Sequence, residues 1–190
     1  MSTKPDGNKK LLILDLDETL VHSIEKAPLP QGADFVVLGD VHVHKRPGLD
    51  EFFSRVNQHY LIGFWSAGGH DYVHAVLGKI VPPTMQPLFV WTSNRCIGRF
   101  DWERGSRYVI KDLHKLRRRG YDLTRIVIAD DDWRTAQRNY GNLIPMRAFE
   151  GDQSDCELKH LADYLLSIKD ITNFRSLEKR DWFTRRLNAS

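Results

Sequence analysis

Leu11-Leu12-Ile13-Leu14-Asp15-Leu16-Asp17-Glu18-Thr19-Leu20-Val21-His22 is the stretch that decides how this chain is read. Four apolar residues run directly into two carboxylates spaced two apart. A short apolar run of this kind predicts a strand of a parallel sheet, buried on both faces. In open sheets with helices on their faces, ligands bind in the crevice beyond the carboxyl ends of the strands. Asp15 and Asp17 fall there. Two acids that close repel each other, and burial is costly unless a cation or a function compensates. On this stretch alone two readings stand side by side. In one, Asp15, Asp17 and Glu18 cap a following helix, whose dipole favours acid at that end. In the other, Asp15 is a nucleophile, Asp17 a general acid/base, and a divalent metal holds the pair.

The composition narrows the classes. At 190 residues and 41% hydrophobic, the chain fits one globular domain with enough length for a real core. No run approaches the eighteen or so apolar residues of a membrane span, and Met1 to Lys10 lacks the apolar centre of a secretory signal. Two cysteines, Cys96 and Cys156, are too few for a disulfide framework and point to a reducing compartment. Neither begins a Cys-x5-Arg phosphate loop, because Trp102 and Ala162 stand where the arginine belongs. That argues against a thiol-based phosphatase. A net charge of +3 is too small to imply a nucleic-acid partner.

Outward from the first strand, Ser23 to Asp34 reads as a loop, with Pro28, Pro30 and Gly32. Phe35-Val-Val-Leu38 and Val41-His-Val-His44 flank Gly39-Asp40, a two-residue hairpin turn with glycine first. His42 and His44 alternate with valines, which favours an exposed strand face over a metal pair. Pro47 opens a helix at its first turn, and Leu49, Phe52, Phe53 and Val56 form its core-facing stripe. Tyr60-Leu-Ile-Gly-Phe-Trp65 predicts a second buried strand, ending at Ser66-Ala-Gly-Gly69. Small residues there let backbone N–H groups approach an anion, and a helix from about His70 to Leu77 aims its N-terminus the same way. Residues 79 to 108 are the least regular part. Lys111-Asp112-Leu113 starts another helix, whose basic end, Arg117-Arg-Arg119, is capped by Gly120. Arg125-Ile-Val-Ile-Ala129 predicts a third buried strand, again ending in acid at Asp130, Asp131 and Asp132. Asn142-Leu-Ile-Pro-Met146 reads as a fourth, near the sheet edge because of Pro145. Leu158, Leu161, Ala162, Leu165 and Leu166 mark a covering helix. Trp91 and Trp102 fit a core or a substrate lip equally well. Alternating strands and helices give an α/β domain with a mainly parallel sheet.

Three strand ends thus deliver Asp15 and Asp17, Ser66, and Asp130 and Asp131 to one crevice, with Lys111 at the start of an intervening helix. Phosphoryl transfer through a covalent intermediate needs this set: an attacking carboxylate, a second acid for the leaving oxygen, and groups that neutralise phosphoryl charge. Magnesium suits a site of carboxylates, a backbone carbonyl and waters.

Asp15-Leu-Asp-Glu-Thr-Leu-Val-His-Ser23 resembles the signature of haloacid-dehalogenase-type phosphatases. Within them the chain resembles the FCP/SCP group, the NLI-interacting-factor-like phosphatases of the RNA polymerase II C-terminal domain. Further matches follow in order: Lys45-Arg-Pro-Gly-Leu-Asp-Glu-Phe52, Phe64-Trp-Ser-Ala67 with Tyr72, Tyr108-Val-Ile-Lys-Asp-Leu113, Ile128-Ala-Asp-Asp131 and Ser154-Asp-Cys-Glu-Leu158. The resemblance implies a Rossmann-like core, a mainly parallel central sheet with helices on both faces, a small β-hairpin insertion and no large cap domain. It implies Asp15 as nucleophile and Asp17 as general acid/base. Ser66, Ala67 and Lys111 would contact phosphate. Magnesium would be held by Asp15, the Asp17 carbonyl and Asp131, with Asp130 in support. Tyr72 and Arg95 are carried over as substrate contacts. Arg95 departs from the family, which often has Arg-x-x-Cys, whereas here it directly precedes Cys96. Asp132 and Trp133 likewise stand where the family usually has serine after the acid pair.

The expected organisation is a disordered lead-in over 1–10, one phosphatase domain over 11–179, and a C-terminal extension over 180–190. The expected protein is a soluble, intracellular monomer, cytoplasmic or nuclear, with a phosphoprotein or phosphopeptide substrate and no nucleic-acid or membrane partner. Two other readings remain: a phosphatase of nucleotides, polynucleotide ends or small metabolites on the same core, and a non-catalytic binding module.

Overall fold

The computed structural model describes residues 9–25 and 32–187. Its elements, in chain order, are β1 (Lys10–Leu14), β2 (Val21–Glu25), β3 (Phe35–Val37), β4 (Val41–Lys45), α1 (Leu49–Val56), β5 (Tyr60–Trp65), α2 (His70–Ile80), β6 (Phe89–Trp91), β7 (Ile97–Asp101), β8 (Ser106–Ile110), α3 (His114–Arg117), β9 (Ile126–Asp130), β10 (Leu143–Pro145), α4 (Glu157–Ile168) and α5 (Trp182–Leu187). Leu11 to Leu14 are at most 2% exposed, as a two-faced burial demands. Leu12 and Leu14 point into one apolar cluster, with Phe52 and Phe53 of α1, Val73 and Val76 of α2 and Leu161 and Leu165 of α4. Leu11 and Ile13 point into a second, with Trp65, Trp91, Leu113, Leu116 and Ile128. Helices therefore cover both faces, but unequally: the second face has only the four-residue α3, helped by 3-10 turns. Each fully buried aliphatic or aromatic side chain contributes roughly 2 kcal/mol of transfer free energy.

β1 lies at the centre of a five-stranded sheet in the order β10-β9-β1-β5-β6, and every pairing in it is parallel. The carboxyl ends of β9, β1 and β5 are consequently adjacent. Pro145, which cannot donate to a ladder, sits on edge strand β10.

Several local expectations are corrected. Pro47 lies ahead of α1 rather than in its first turn; Gly48 caps the helix with φ 79°. The hairpin between β3 and β4 has three loop residues, since Val37 pairs with Val41. Leu38 (φ 52°) and Gly39 (φ 90°) are both left-handed, so Leu38 leaves the strand. The loop expected over Ser23 to Asp34 begins inside strand β2, which pairs antiparallel with β4; residues 26–31 of that loop lie outside the described residues. His42 faces Ile24 and His44 faces His22 across β4 and β2, and neither joins a metal-like cluster among the described residues. Lys111 precedes α3 rather than starting it, and α3 is a single turn. The irregular stretch contains β6 at the far sheet edge and the antiparallel pair β7–β8. Trp91 is core, 5% exposed, whereas Trp102 is 87% exposed. At the chain's end, Trp182 is buried in the first cluster and its Nε1 donates to the Pro145 carbonyl at 2.7 Å. Residues 1–8 of the expected lead-in lie outside the described residues.

Candidate active site

Asp15 is the first residue past β1. Its N–H donates to Ala129 O at 3.0 Å, extending the ladder with β9 by one step. The chain then closes a tight loop: Leu16 O accepts from Leu20 N at 2.9 Å and from Val21 N at 3.1 Å. Within it Glu18 is left-handed (φ 57°), a conformation that costs an L-residue of this type roughly 1 kcal/mol. The loop is held from outside, because Phe149 N donates to Glu18 O at 2.7 Å and His22 Nδ1 lies 2.9 Å from the Glu18 carboxylate. Asp15 and Asp17 are thus fixed on a closed loop at the sheet's carboxyl end, and no regular helix follows for them to cap.

Lys111 is 1% exposed, with its ammonium 2.6 Å from Asp15 Oδ1 and 2.7 Å from Asp130 Oδ2. Its backbone is anchored too, Lys111 N donating to Thr135 O at 2.8 Å. Asp130 is fully buried and also accepts from Thr135 Oγ1 at 2.7 Å and Asp132 N at 3.0 Å. Thr19 Oγ1 donates to Asp131 Oδ1 at 3.2 Å. On the other side Ser66 Oγ donates to Asp17 Oδ2 at 3.2 Å and accepts from Gly68 N at 2.8 Å. Tyr72 OH donates to Asp17 Oδ1 and lies 2.6 Å from Ser23 Oγ. A Cβ on Gly68 would stand 3.0 Å from Tyr72 Cδ1 and 3.1 Å from Ser66 Oγ, so only glycine leaves both in place. Ala67 is exposed beside them.

Burial pulls the Lys111 ammonium down, but Asp130 and Asp15 outweigh it and hold the group charged. Burial pushes the Asp15 carboxyl up, and Asp130 and Asp17 add to this against Lys111; an ammonium that Asp15 must share does not fully offset its burial. Burial and then Asp130 push Asp131 up to about 6. Burial and the Asp17 charge push the Tyr72 phenol well above its ordinary range, keeping it a donor. Burial also pushes the Cys96 thiol up, the opposite of what a thiolate nucleophile needs.

Asp15, Asp130 and Asp131 offer carboxylate oxygens that all lie within 4.8 Å of one another. Against them stands one ammonium, which leaves two uncompensated negative charges. An all-oxygen set with that charge fits a hard divalent cation such as magnesium, and a cation there would relieve the repulsion that raises Asp131. The sequence-predicted residues Asp15, Asp17, Ser66, Lys111, Asp130 and Asp131 are brought together. Tyr72 touches Asp17 directly, and Arg95 is exposed and bonds to none of these carboxylates. Thr135, Thr19 and Ser23, which hold the acids and Tyr72, were not anticipated, because single hydroxyl residues carry no spacing signal.

Residues 10–175 match the NLI interacting factor-like phosphatase family. The chain belongs to that family. Among curated relatives it is 34% identical over 186 residues to phosphatase Herzog of Drosophila melanogaster, covering 90% of this chain and 47% of that protein. It is 31% identical over 173 residues to the human CTD small phosphatase-like protein, covering 84% of this chain and 56% of that one. The chain therefore spans about half the length of these relatives. A solved fission yeast RNA polymerase II CTD phosphatase bound to beryllium fluoride shares the fold, with a TM-score of 0.55 at 20% identity. The match covers 96% of this chain and 55% of that one. The FCP/SCP-type fold expected from the sequence, with its parallel central sheet, is the one observed.

Proposed function

We propose that this NLI interacting factor-like chain is a magnesium-dependent phosphomonoesterase that forms an aspartyl-phosphate and acts on phosphoserine or phosphothreonine, or on phosphotyrosine, in an extended peptide. The observation that carries this reading is Lys111, fully buried between Asp15 and Asp130 beside Asp131. A packed core tolerates so many charges in one place only where they are paired and used.

Asp15 attacks phosphorus, and the bond to the leaving alkoxide or phenoxide oxygen breaks. Asp17 gives that oxygen a proton and later takes one from water, which releases phosphate and restores the Asp15 carboxylate. Ser66 and Tyr72 orient the Asp17 carboxyl between these two acts. Lys111 holds Asp15 in place and faces the phosphoryl oxygens, with Ser66 and the Ala67 backbone as further phosphate contacts. Magnesium held by Asp15, the Asp17 carbonyl and Asp131, supported by Asp130, would supply neutralisation of phosphoryl charge. Fully formed ion pairs around Asp15 argue against a non-catalytic module. No helix among the described residues is long and apolar enough to cross a membrane; the proposed phosphoprotein substrate goes with work in the cytoplasm or nucleus.

Asp15→Asn tests the assignment, because an amide cannot form the acyl-phosphate. The expected result is loss of turnover of an aryl phosphate, in a variant whose circular dichroism and melting match the parent. Beryllium fluoride should inhibit the parent as a mimic of the aspartyl-phosphate, and chelation should stop it. Near-parental turnover by folded Asp15→Asn overturns the assignment.

A further inference from the structure

Two arginines beside the crevice are neutralised within the chain. Arg134 pairs with Asp132 at 2.8 Å and Arg138 with Asp112 at 2.9 Å. Arg95, Lys115 and Arg119 differ: among the described residues none of them has a carboxylate partner. They are nevertheless held together. The Arg95 and Arg119 guanidinium carbons lie 5.8 and 5.1 Å from the centroid of one ring, Trp91, and the Lys115 ammonium donates to Arg95 O. Asp112, the acid nearest in sequence to Lys115, is already taken by Arg138. Gathering three cations without an anion costs Coulomb energy, even at a screened surface. The helix dipole accounts for little of it, because α3 has only four residues.

The cluster sits one layer outside the phosphate contacts. Ser93 N donates to Gly68 O at 3.0 Å, tying the turn before Arg95 to the loop that carries Ser66. Cys96, the next residue, places its Sγ 3.8 Å from Ser66 O. Trp91 packs edge-on against buried Trp65, with centroids 4.7 Å apart, so the platform under the two guanidiniums is rigid. Arginines stacked on an aromatic keep their planar donor edges free, and those edges match carboxylate and phosphate oxygens.

We propose that Arg95, Lys115 and Arg119 form a subsite for an anionic side chain flanking the scissile phosphate, a carboxylate or a second phosphate in the same peptide. The proposal rests on the phosphopeptide reading above and deepens it: the preferred substrate is an acidic or multiply phosphorylated segment.

The test uses phosphoserine peptides of one length carrying alanine, glutamate or a second phosphoserine at each flanking position in turn. Specificity constants are measured for the parent and for Lys115→Gln/Arg119→Gln, with a small aryl phosphate as control. Binding of the same labelled peptides to Asp15→Asn is followed by fluorescence anisotropy. The parent should prefer the anionic peptides at one side of the phosphate by about tenfold, the factor expected of one charge-assisted contact. The preference should fall with rising salt and vanish in the double variant, while the aryl phosphate rate stays unchanged. Equal treatment of neutral and anionic peptides, or a preference that survives the double variant, overturns the proposal. So does tighter binding of an oligonucleotide than of any peptide. Failure of the catalytic reading looks different: no turnover of the aryl phosphate, with the anisotropy preference intact.

Discussion

Both oxygens of Asp17 are engaged, one by Tyr72 and one by Ser66, and the Tyr72 hydroxyl is itself held by Ser23. In the proposed mechanism Asp17 delivers a proton to the leaving oxygen and gains from being aimed, and Tyr72 would supply much of the aim. Tyr72→Phe should therefore slow hydrolysis of an alkyl phosphate such as phosphoserine by about tenfold, equivalent to ~1.4 kcal/mol. An aryl phosphate whose leaving group needs little protonation should slow less. The ratio of the two rates is the measurement, and equal losses would reduce Tyr72 to a packing role. Asp131→Ala removes one carboxylate of the proposed magnesium set, and one charge, from a cluster with two in excess. Activity should require more magnesium, with partial rescue at high concentration, and the rise in melting temperature on adding magnesium should shrink. Unchanged magnesium dependence would leave Asp131 a structural acid. The residues gathered around Asp15 were legible because each ends an apolar run. Lys111 was legible only through its Tyr108-Val-Ile-Lys-Asp-Leu113 context. Thr135, Thr19 and Ser23 were not, since a hydroxyl that orients a carboxylate is defined by the folded contact alone.

Between elements, the connection that sequence reasoning did not assign is Arg46. The side chain is fully buried and makes four hydrogen bonds to three groups: Asp155 through two nitrogens at 3.0 and 2.8 Å, Glu157 at 3.2 Å and Thr19 O at 3.1 Å. One guanidinium thus ties the end of β4 to the start of α4 and to the loop that carries Asp15 and Asp17. Arg46→Ala should lower stability by about 3–5 kcal/mol in chemical denaturation, because Glu157 would stay buried without its cation. Arg46→Lys should recover little of it, since an ammonium cannot reproduce the planar fork. A loss below about 1 kcal/mol would show that water replaces the guanidinium. The motifs Lys45-Arg-Pro-Gly and Ser154-Asp-Cys-Glu-Leu158 were visible as strings, but that they meet through one side chain was not. Other elements were lost for physical reasons. β6 is three residues long in a proline-broken stretch, and its value lies in Phe89, whose ring covers Gly63 so closely that a Cβ there would sit 2.5 Å from it. The β7–β8 pair buries little of either face, so its sequence lacks the alternation that announces a strand.

For the molecule as a whole, the decisive question is what covers the crevice during reaction. Enzymes of small phosphorylated metabolites commonly exclude water and add contacts with a mobile lid. The chain has two insertions where such a lid could arise. Between Val21 and Lys45 it builds the three-stranded sheet β2-β4-β3, and between α2 and Lys111 it builds β6 and the β7–β8 pair. Each falls short of the roughly fifty residues an independent domain needs. The second instead presents exposed aromatics, Phe100 and Trp102, over a groove of 470 Å³ shared with Tyr108 and Trp133. Exposed aromatic rings beside a charged crevice suit the apolar side chains of an extended segment, which gains affinity along its length rather than by enclosure. On the proposed phosphopeptide reading the substrate itself supplies the cover. Specificity constants should accordingly rise from free phosphoserine to a phosphoserine peptide by at least about tenfold, because flanking contacts made in the transition state lower the barrier. Trp102→Ala should remove part of that gain without changing the rate on the free phosphoamino acid. A sugar phosphate or mononucleotide preferred over every phosphopeptide would mean that enclosure comes from elsewhere, and the metabolite reading would replace the peptide one.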